Sequence, residues 1–143
     1  SPTPNPASER SEKTGIAVTC FPGTVKSWEN SAQAAEKITR LHLDEIRSLG
    51  LTAMIYYSGM GALAGRRVLQ LAGFRIPDDI SVISEDDGSI MERLYPAGSI
   101  VTGEYLQQCR DALDIIIGNQ PSPGIRLYGY QYIERESVKK LNQ

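Results

Sequence analysis

Two cysteines, one histidine and one tryptophan are all that this 143-residue chain holds of those types, and each scarcity excludes something. Cys20 and Cys109 stand far apart and form neither a CxxC nor a Cys/His pattern. They read as two thiols in a reducing compartment, with no disulfide framework and no zinc site. His42 has no cysteine at ligand spacing, and Glu45 one turn on makes at most a two-residue site, so it reads as a solvated helix residue and no metal is expected. No apolar run approaches the ~18 residues of a membrane span, and the first residues carry no apolar signal-peptide core. A cytoplasmic protein fits, as does a mature exported one. The formal net charge of -2 leaves no basic footprint for nucleic acid. Catalytic patterns are missing too: there is no GxSxG elbow, and neither cysteine has an evident histidine partner. Gly59-x-Gly61 lacks the third glycine and the downstream acid of a dinucleotide site. No enzyme and no cofactor are implied.

What is present suits one globular domain. Apolar residues make up 41% and charged residues 22% of the chain, enough of both to bury a core without staples. Residues 1–14 (SPTPNPASERSEKT) are polar and proline-rich and read as a tail or linker, ahead of a domain over 15–143. Gly15 to Phe21 (GIAVTCF), apolar on both alternating faces, is expected to be a buried parallel strand. Helical spacing of Ala34, Ala35, Ile38, Leu41, Ile46 and Leu49 predicts one amphipathic helix from about Ser31 to Leu49, stopped by Gly50. A strand follows at Thr52 to Tyr57. Ser58 is placed to cap a helix over Gly59 to Ala72 that ends at Gly73. Further strands are predicted at Ile80 to Ser84, near Ser99 to Thr102, and as extended structure from Ile125 to Ile133. Thr102 is placed to cap a helix over about Gly103 to Ile117, with Gly118 beyond it. Strands alternating with helices predict a three-layer α/β fold, a parallel sheet with helices on both faces and ligands at the carboxyl ends of the strands.

One phrase is more specific than the alternation. Gly73, Phe74, Ile76, Pro77, Asp79, Ile80, Ser81 and Val82 follow a small-residue-rich helix (GMGALAGRRVLQLAG) and lead into the acidic Glu85-Asp86-Asp87 turn. A Tyr-Pro loop, a helix and YIERESV come next. In this order and spacing the stretch Leu51 to Val138 resembles the C-terminal third of LacI/GalR transcription regulators. The resemblance implies a periplasmic-binding-protein-like fold, mainly one subdomain of it, with residues 103–125 crossing to the other subdomain. It also implies a homodimer and a small polar, sugar-like effector held between subdomains. The family's helix-turn-helix head and first subdomain have no counterpart in the sequence, so DNA contact is expected only through such a head. The departures matter as well. Ser58-Gly59 stand where the family has Asn-Asp, and Ser84-Glu85 where it has glycine and an aromatic, so the effector cannot be carried over from a relative.

The resemblance places Asp86 where a strand-end carboxylate hydrogen-bonds a ligand hydroxyl; Asp86 and Asp87 are equally good caps for the turn at Gly88. Trp28 offers a face for stacking on a sugar ring, or else packs over the helix start. Tyr105 matches a ligand-facing aromatic, while its spacing with Cys109 and Ala112 also fits core packing. Tyr57 and Ser58 close the second strand with hydroxyls that could replace the lost amide. The helix over 59–72 is apolar on more than one face. The resemblance implies that this helix, with Leu63 and Leu69, and the following loop, with Met91, Leu94 and Tyr95, form a dimer interface, the alternative being a helix buried between sheet and loop. An effector-sensing part of a regulator leads; an exported solute-binding protein and an open α/β enzyme are the rivals.

Overall fold

The computed structural model describes residues 15–23, 25–86, 89–121 and 124–141, and every structural statement below concerns those residues. Residues 1–14, with the tail assigned to them, and the Asp87-Gly88 turn lie outside them. The described elements are α1 (Ser31–Leu41), α2 (Leu43–Ser48), β1 (Ala53–Tyr56), α3 (Gly59–Leu71), β2 (Ser81–Glu85), β3 (Ser99–Gly103), α4 (Tyr105–Ile116) and β4 (Tyr130–Ile133). A short 3-10 turn at Met91–Arg93 lies between β2 and β3. The sheet runs β1-β2-β3-β4, parallel through β3, with β4 antiparallel at the edge. This is the expected α/β class.

Local chemistry accounts for most boundaries. Asn30 accepts from the Gln33 amide while the Gln33 side chain accepts from the Asn30 amide, a reciprocal capping box that starts α1. Ser58 accepts from Gly61 N at 3.0 Å and starts α3. Gly50, Gly73 and Gly118 all sit at positive φ, as helix stops require. The single helix expected over 31–49 is instead broken at His42, whose φ of -103° and ψ of 13° leave the helical region. His42 stacks on Phe21 and bonds Glu45. The break turns Ile46 into the core and leaves Leu41 and Leu49 exposed. Thr102 does not cap α4; Glu104 holds that position without a side-chain bond.

The core joins Tyr56, Val82 and Ile100 from the sheet to Ala62 and Leu69 of α3 and Ile46 of α2. Alternation carries the other face: Ile55 pairs with Ile83, and Val101 with Tyr132, on the side away from these helices. That face is open, with Ile55 75% and Tyr132 49% exposed. The predicted strand over 15–21 is not formed. The segment runs beside the outer edge of β1 and α1, bordering a cavity of about 820 Å³. Ile16 and Val18 are more than half exposed, so neither face of the run gains the cover that would reward pairing.

The chain end closes the sheet. Ser137, fully buried, sits between β2 and β3 where the two strands part: Val82 N donates to its carbonyl and its own N donates to Ala97 O. Its hydroxyl donates to Val82 O at 2.6 Å and accepts from Ser99 N at 2.7 Å. Beside it Arg135 donates to Gly98 O and Glu136 accepts from Ala97 N. The residues matched as YIERESV are thus a clasp on the loop ahead of β3.

Asp79, in the turn before β2, accepts from the Arg75 amide at 2.7 Å and from both ends of its guanidinium, which holds its carboxyl down at about 2. A depressed carboxyl adds stability above its unfolded value of about 4, and that contribution is lost as pH falls toward 2. Asp79→Asn is therefore expected to lower Tm at neutral pH and to flatten the fall of Tm between about pH 4 and 2, as read by thermal melts across that range.

Candidate functional site

The carboxyl ends of β1 and β2 meet the N-terminus of α3, and the candidate residues gather there. Asp86 continues the β2 ladder, its amide donating to Val101 O. Its carboxylate lies against Gly59, so close that a Cβ on that residue would come within 2.6 Å of Asp86 Cγ. Only glycine leaves room for it. One carboxylate oxygen, Oδ2, is buried without a hydrogen-bond partner, and so is the hydroxyl of Ser84, 2% exposed. Alternation places Ser84 and Asp86 on the same face of β2. A buried polar atom with no partner is costly, of the order of 1–3 kcal/mol, and two of them at one strand end make these residues the candidates for a polar contact.

The other candidates divide. Tyr57 is 89% exposed at the mouth of this end of the sheet. Ser58 sits beside the same mouth, but its hydroxyl is engaged as the α3 cap. Tyr105 opens α4, and its hydroxyl donates to Glu85 Oε1 at 3.3 Å, tying α4 to the residue next to Asp86. Burial first, then the Glu85 charge and hydrogen bond, push the Tyr105 phenol up. Trp28 is 76% exposed, two residues ahead of the α1 cap, with Lys26 Nζ 5.4 Å from its ring centroid. The α1 and α3 N-termini pack together, a Cβ on Gly61 falling 3.4 Å from Ala35 Cβ, so Trp28 belongs to the same end of the fold. Ser84, Glu85 and Gly59 were missed as site residues. The period of two in ISVISED would have found Ser84.

Two expected interface residues need correction. Leu69 is wholly buried against the sheet, and Met91 is 1% exposed beneath Gly98, so both belong to the chain's own core and cannot meet a partner. Leu63, Leu94 and Tyr95 instead line a shallow groove of about 460 Å³ with Met60, Ala64 and Arg67. Below it Arg66, 3% exposed, donates to Pro96 O at 2.6 Å and holds the loop. No group of three or more metal-ligating side chains is assembled among the described residues, and no described helix is long and apolar enough to cross a membrane.

A mostly parallel sheet with an unpaired carboxylate oxygen at its strand ends has the architecture of an α/β ligand-binding domain. Residues 6–138 match the periplasmic binding protein-like domain, and the chain belongs to that family. Over 82 residues, 54% of the chain, it is 38% identical to the HTH-type transcriptional regulator GalR of Streptococcus thermophilus, of which that stretch is 25%. A LacI family transcriptional regulator from Bifidobacterium animalis subsp. lactis is 26% identical, with a TM-score of 0.73 over 92% of this chain and 47% of that one. A LacI family regulator from Arthrobacter sp., solved in complex with lactose, gives a TM-score of 0.75 at 21% identity, over 92% of this chain and 49% of that one. The chain thus spans a quarter to about half of these relatives, and the resemblance to LacI/GalR regulators read from its sequence is borne out.

Proposed function

We propose that the chain is the effector-sensing and dimerising part of a cytoplasmic LacI/GalR-type transcription regulator, that it catalyses nothing, and that its ligand is a small polar, sugar-like metabolite. The observation that carries the ligand is Asp86: a carboxylate oxygen buried without a partner at a parallel strand end accepts from a ligand hydroxyl as no satisfied carboxylate would. Tyr57, Tyr105 and Trp28 supply aromatic faces near it, and Ser58 the rim. Lactose in the Arthrobacter relative supports a sugar as the first ligand to try. Binding would be completed by a second lobe, with residues 103–125 crossing to it. The ligand's unequal affinity for open and closed clefts, worth about 1–3 kcal/mol, would set the spacing of DNA-binding heads carried elsewhere in the regulator. A homodimer would form through the groove of Leu63, Leu94 and Tyr95.

Calorimetry of the complete regulator against mono- and disaccharides tests this reading. Asp86→Ala is expected to weaken the bound sugar by about 1–3 kcal/mol, roughly 5- to 150-fold. Unchanged affinity returns Asp86 to turn capping.

A further inference from the structure

Among the described residues Arg66 is the most deeply buried charged side chain, 3% exposed in the middle of α3. Its Nη2 donates to Pro96 O at 2.6 Å, but its Nη1 is buried with no hydrogen-bond partner, 3.2 Å from where a Cβ on Gly98 would stand. No ion pair among the described residues includes it. Burial pushes the Arg66 guanidinium down, with no carboxylate opposing the shift. Bonds to Asp79 and Asp111 instead push Arg75 and Arg126 up. Arginine keeps its charge at any ordinary pH, so Arg66 carries a cation out of water without a counter-charge. A buried charge is stable when it is paired.

Arg66 also borders the groove of about 460 Å³ between α3 and the loop of Leu94 and Tyr95. We propose that the floor of this groove binds a small carboxylate with a short aliphatic tail, its head paired with Arg66. The planar fork of a guanidinium matches a carboxylate. Met60, Leu63 and Leu94 line the walls and suit an apolar tail better than the hydration shell of inorganic phosphate. Glu36, also on the groove, is held by Arg40 at 2.9 Å and leaves Arg66 to the ligand, while its charge disfavours a dianion there. Gln70, one helical turn on from Arg66, adds an amide donor at the mouth.

Such a ligand competes for Leu63 and Leu94 with the second subunit proposed for the same groove, so it opposes dimerisation. That consequence rests on the dimer reading. The binding itself does not, and it is tested on dilute protein.

Thermal melts and calorimetry of the chain with sodium butyrate, against sodium phosphate and sodium chloride at matched ionic strength, test the site. Butyrate is expected to bind with a Kd of the order of 1 mM. At ~10 mM it is expected to raise Tm by roughly 3–6 °C, saturably, while the other two salts do not. Arg66→Met keeps the stem and removes the charge, and is expected to abolish the rise. Gln70→Glu, at an exposed position, supplies a carboxylate one turn from Arg66 and serves if Arg66→Met is unfolded. It is expected to raise Tm without butyrate and to weaken butyrate about tenfold. No saturable rise with butyrate, an equal rise with phosphate or chloride, or a rise that persists undiminished in either variant overturns the proposal.

Discussion

Ser137→Ala is expected to cost about 2–5 kcal/mol and to lower Tm by roughly 8–15 °C. The hydroxyl is the sole hydrogen-bonding group that the Ser137 side chain offers at the point where β2 and β3 separate, and it satisfies one group from each strand, Val82 O and Ser99 N. With an alanine there, a buried carbonyl and a buried amide both lose their partner, and the residue's full burial leaves little room for water to replace it. Ser137→Cys tests the same point from another side. It keeps a weak donor, but the larger sulfur does not fit two short oxygen-type bonds, so it too is expected to destabilise. Thermal and urea melts measure both; a loss below about 0.5 kcal/mol would mean that the strand ends close up on their own.

The consequence reaches the loop between β2 and β3. Arg135, Glu136 and Ser137 fasten Ala97, Gly98 and Ser99, while Arg66 fastens Pro96 from the other side. The loop that carries Leu94 and Tyr95 is thus pinned both to α3 and to the segment that follows β4. Because the buried Ser137 bonds are part of that fastening, Ser137→Ala is expected to loosen the loop as well as the sheet.

What the sequence made legible follows from where the information lies. Caps, glycine stops and periodicity are local, and Ser58, Gly73 and the strands at Ala53–Tyr56 and Ser81–Glu85 were readable from neighbours alone. The run from Gly15 to Phe21 has the right composition for a strand, but a two-sided apolar strand forms only where layers cover both faces, and no local pattern reports that. The same limit explains Leu69 and Met91. Alpha3 is apolar on several faces, and only the packed fold shows that Leu69 meets the sheet while Leu63 meets the groove. In the site, Asp86 stood out through its matched phrase. Its setting against Gly59 was not readable, because it depends on the absence of a Cβ across two elements far apart in the chain.

Gly65→Ala separates two opposed expectations and shows which one wins. Helix propensity alone favours alanine in the middle of α3 by about 1 kcal/mol. Against this, a Cβ at position 65 would fall inside the van der Waals envelope of Tyr56 Cζ and Oη. The ring has little freedom to retreat: it is 8% exposed within the core, and its hydroxyl shares a 2.9 Å bond with Thr39 Oγ1, itself 2% exposed. Burial pushes the Tyr56 phenol up, in keeping with a neutral, enclosed hydroxyl. Shifting it costs about 1–3 kcal/mol of overpacking, and unpairing the two hydroxyls costs about 1–3 kcal/mol more. The net expectation is a loss of about 2–4 kcal/mol, read as a Tm lower by roughly 6–15 °C. Removing the ring reverses the sign: in a Tyr56→Leu background, Gly65→Ala is expected to be neutral or stabilising, because propensity then acts unopposed. The double-mutant cycle should therefore show a coupling of about 2 kcal/mol or more between positions 56 and 65. Additive effects, or a raised Tm for Gly65→Ala alone, would show that α3 rides further from β1 than this packing requires.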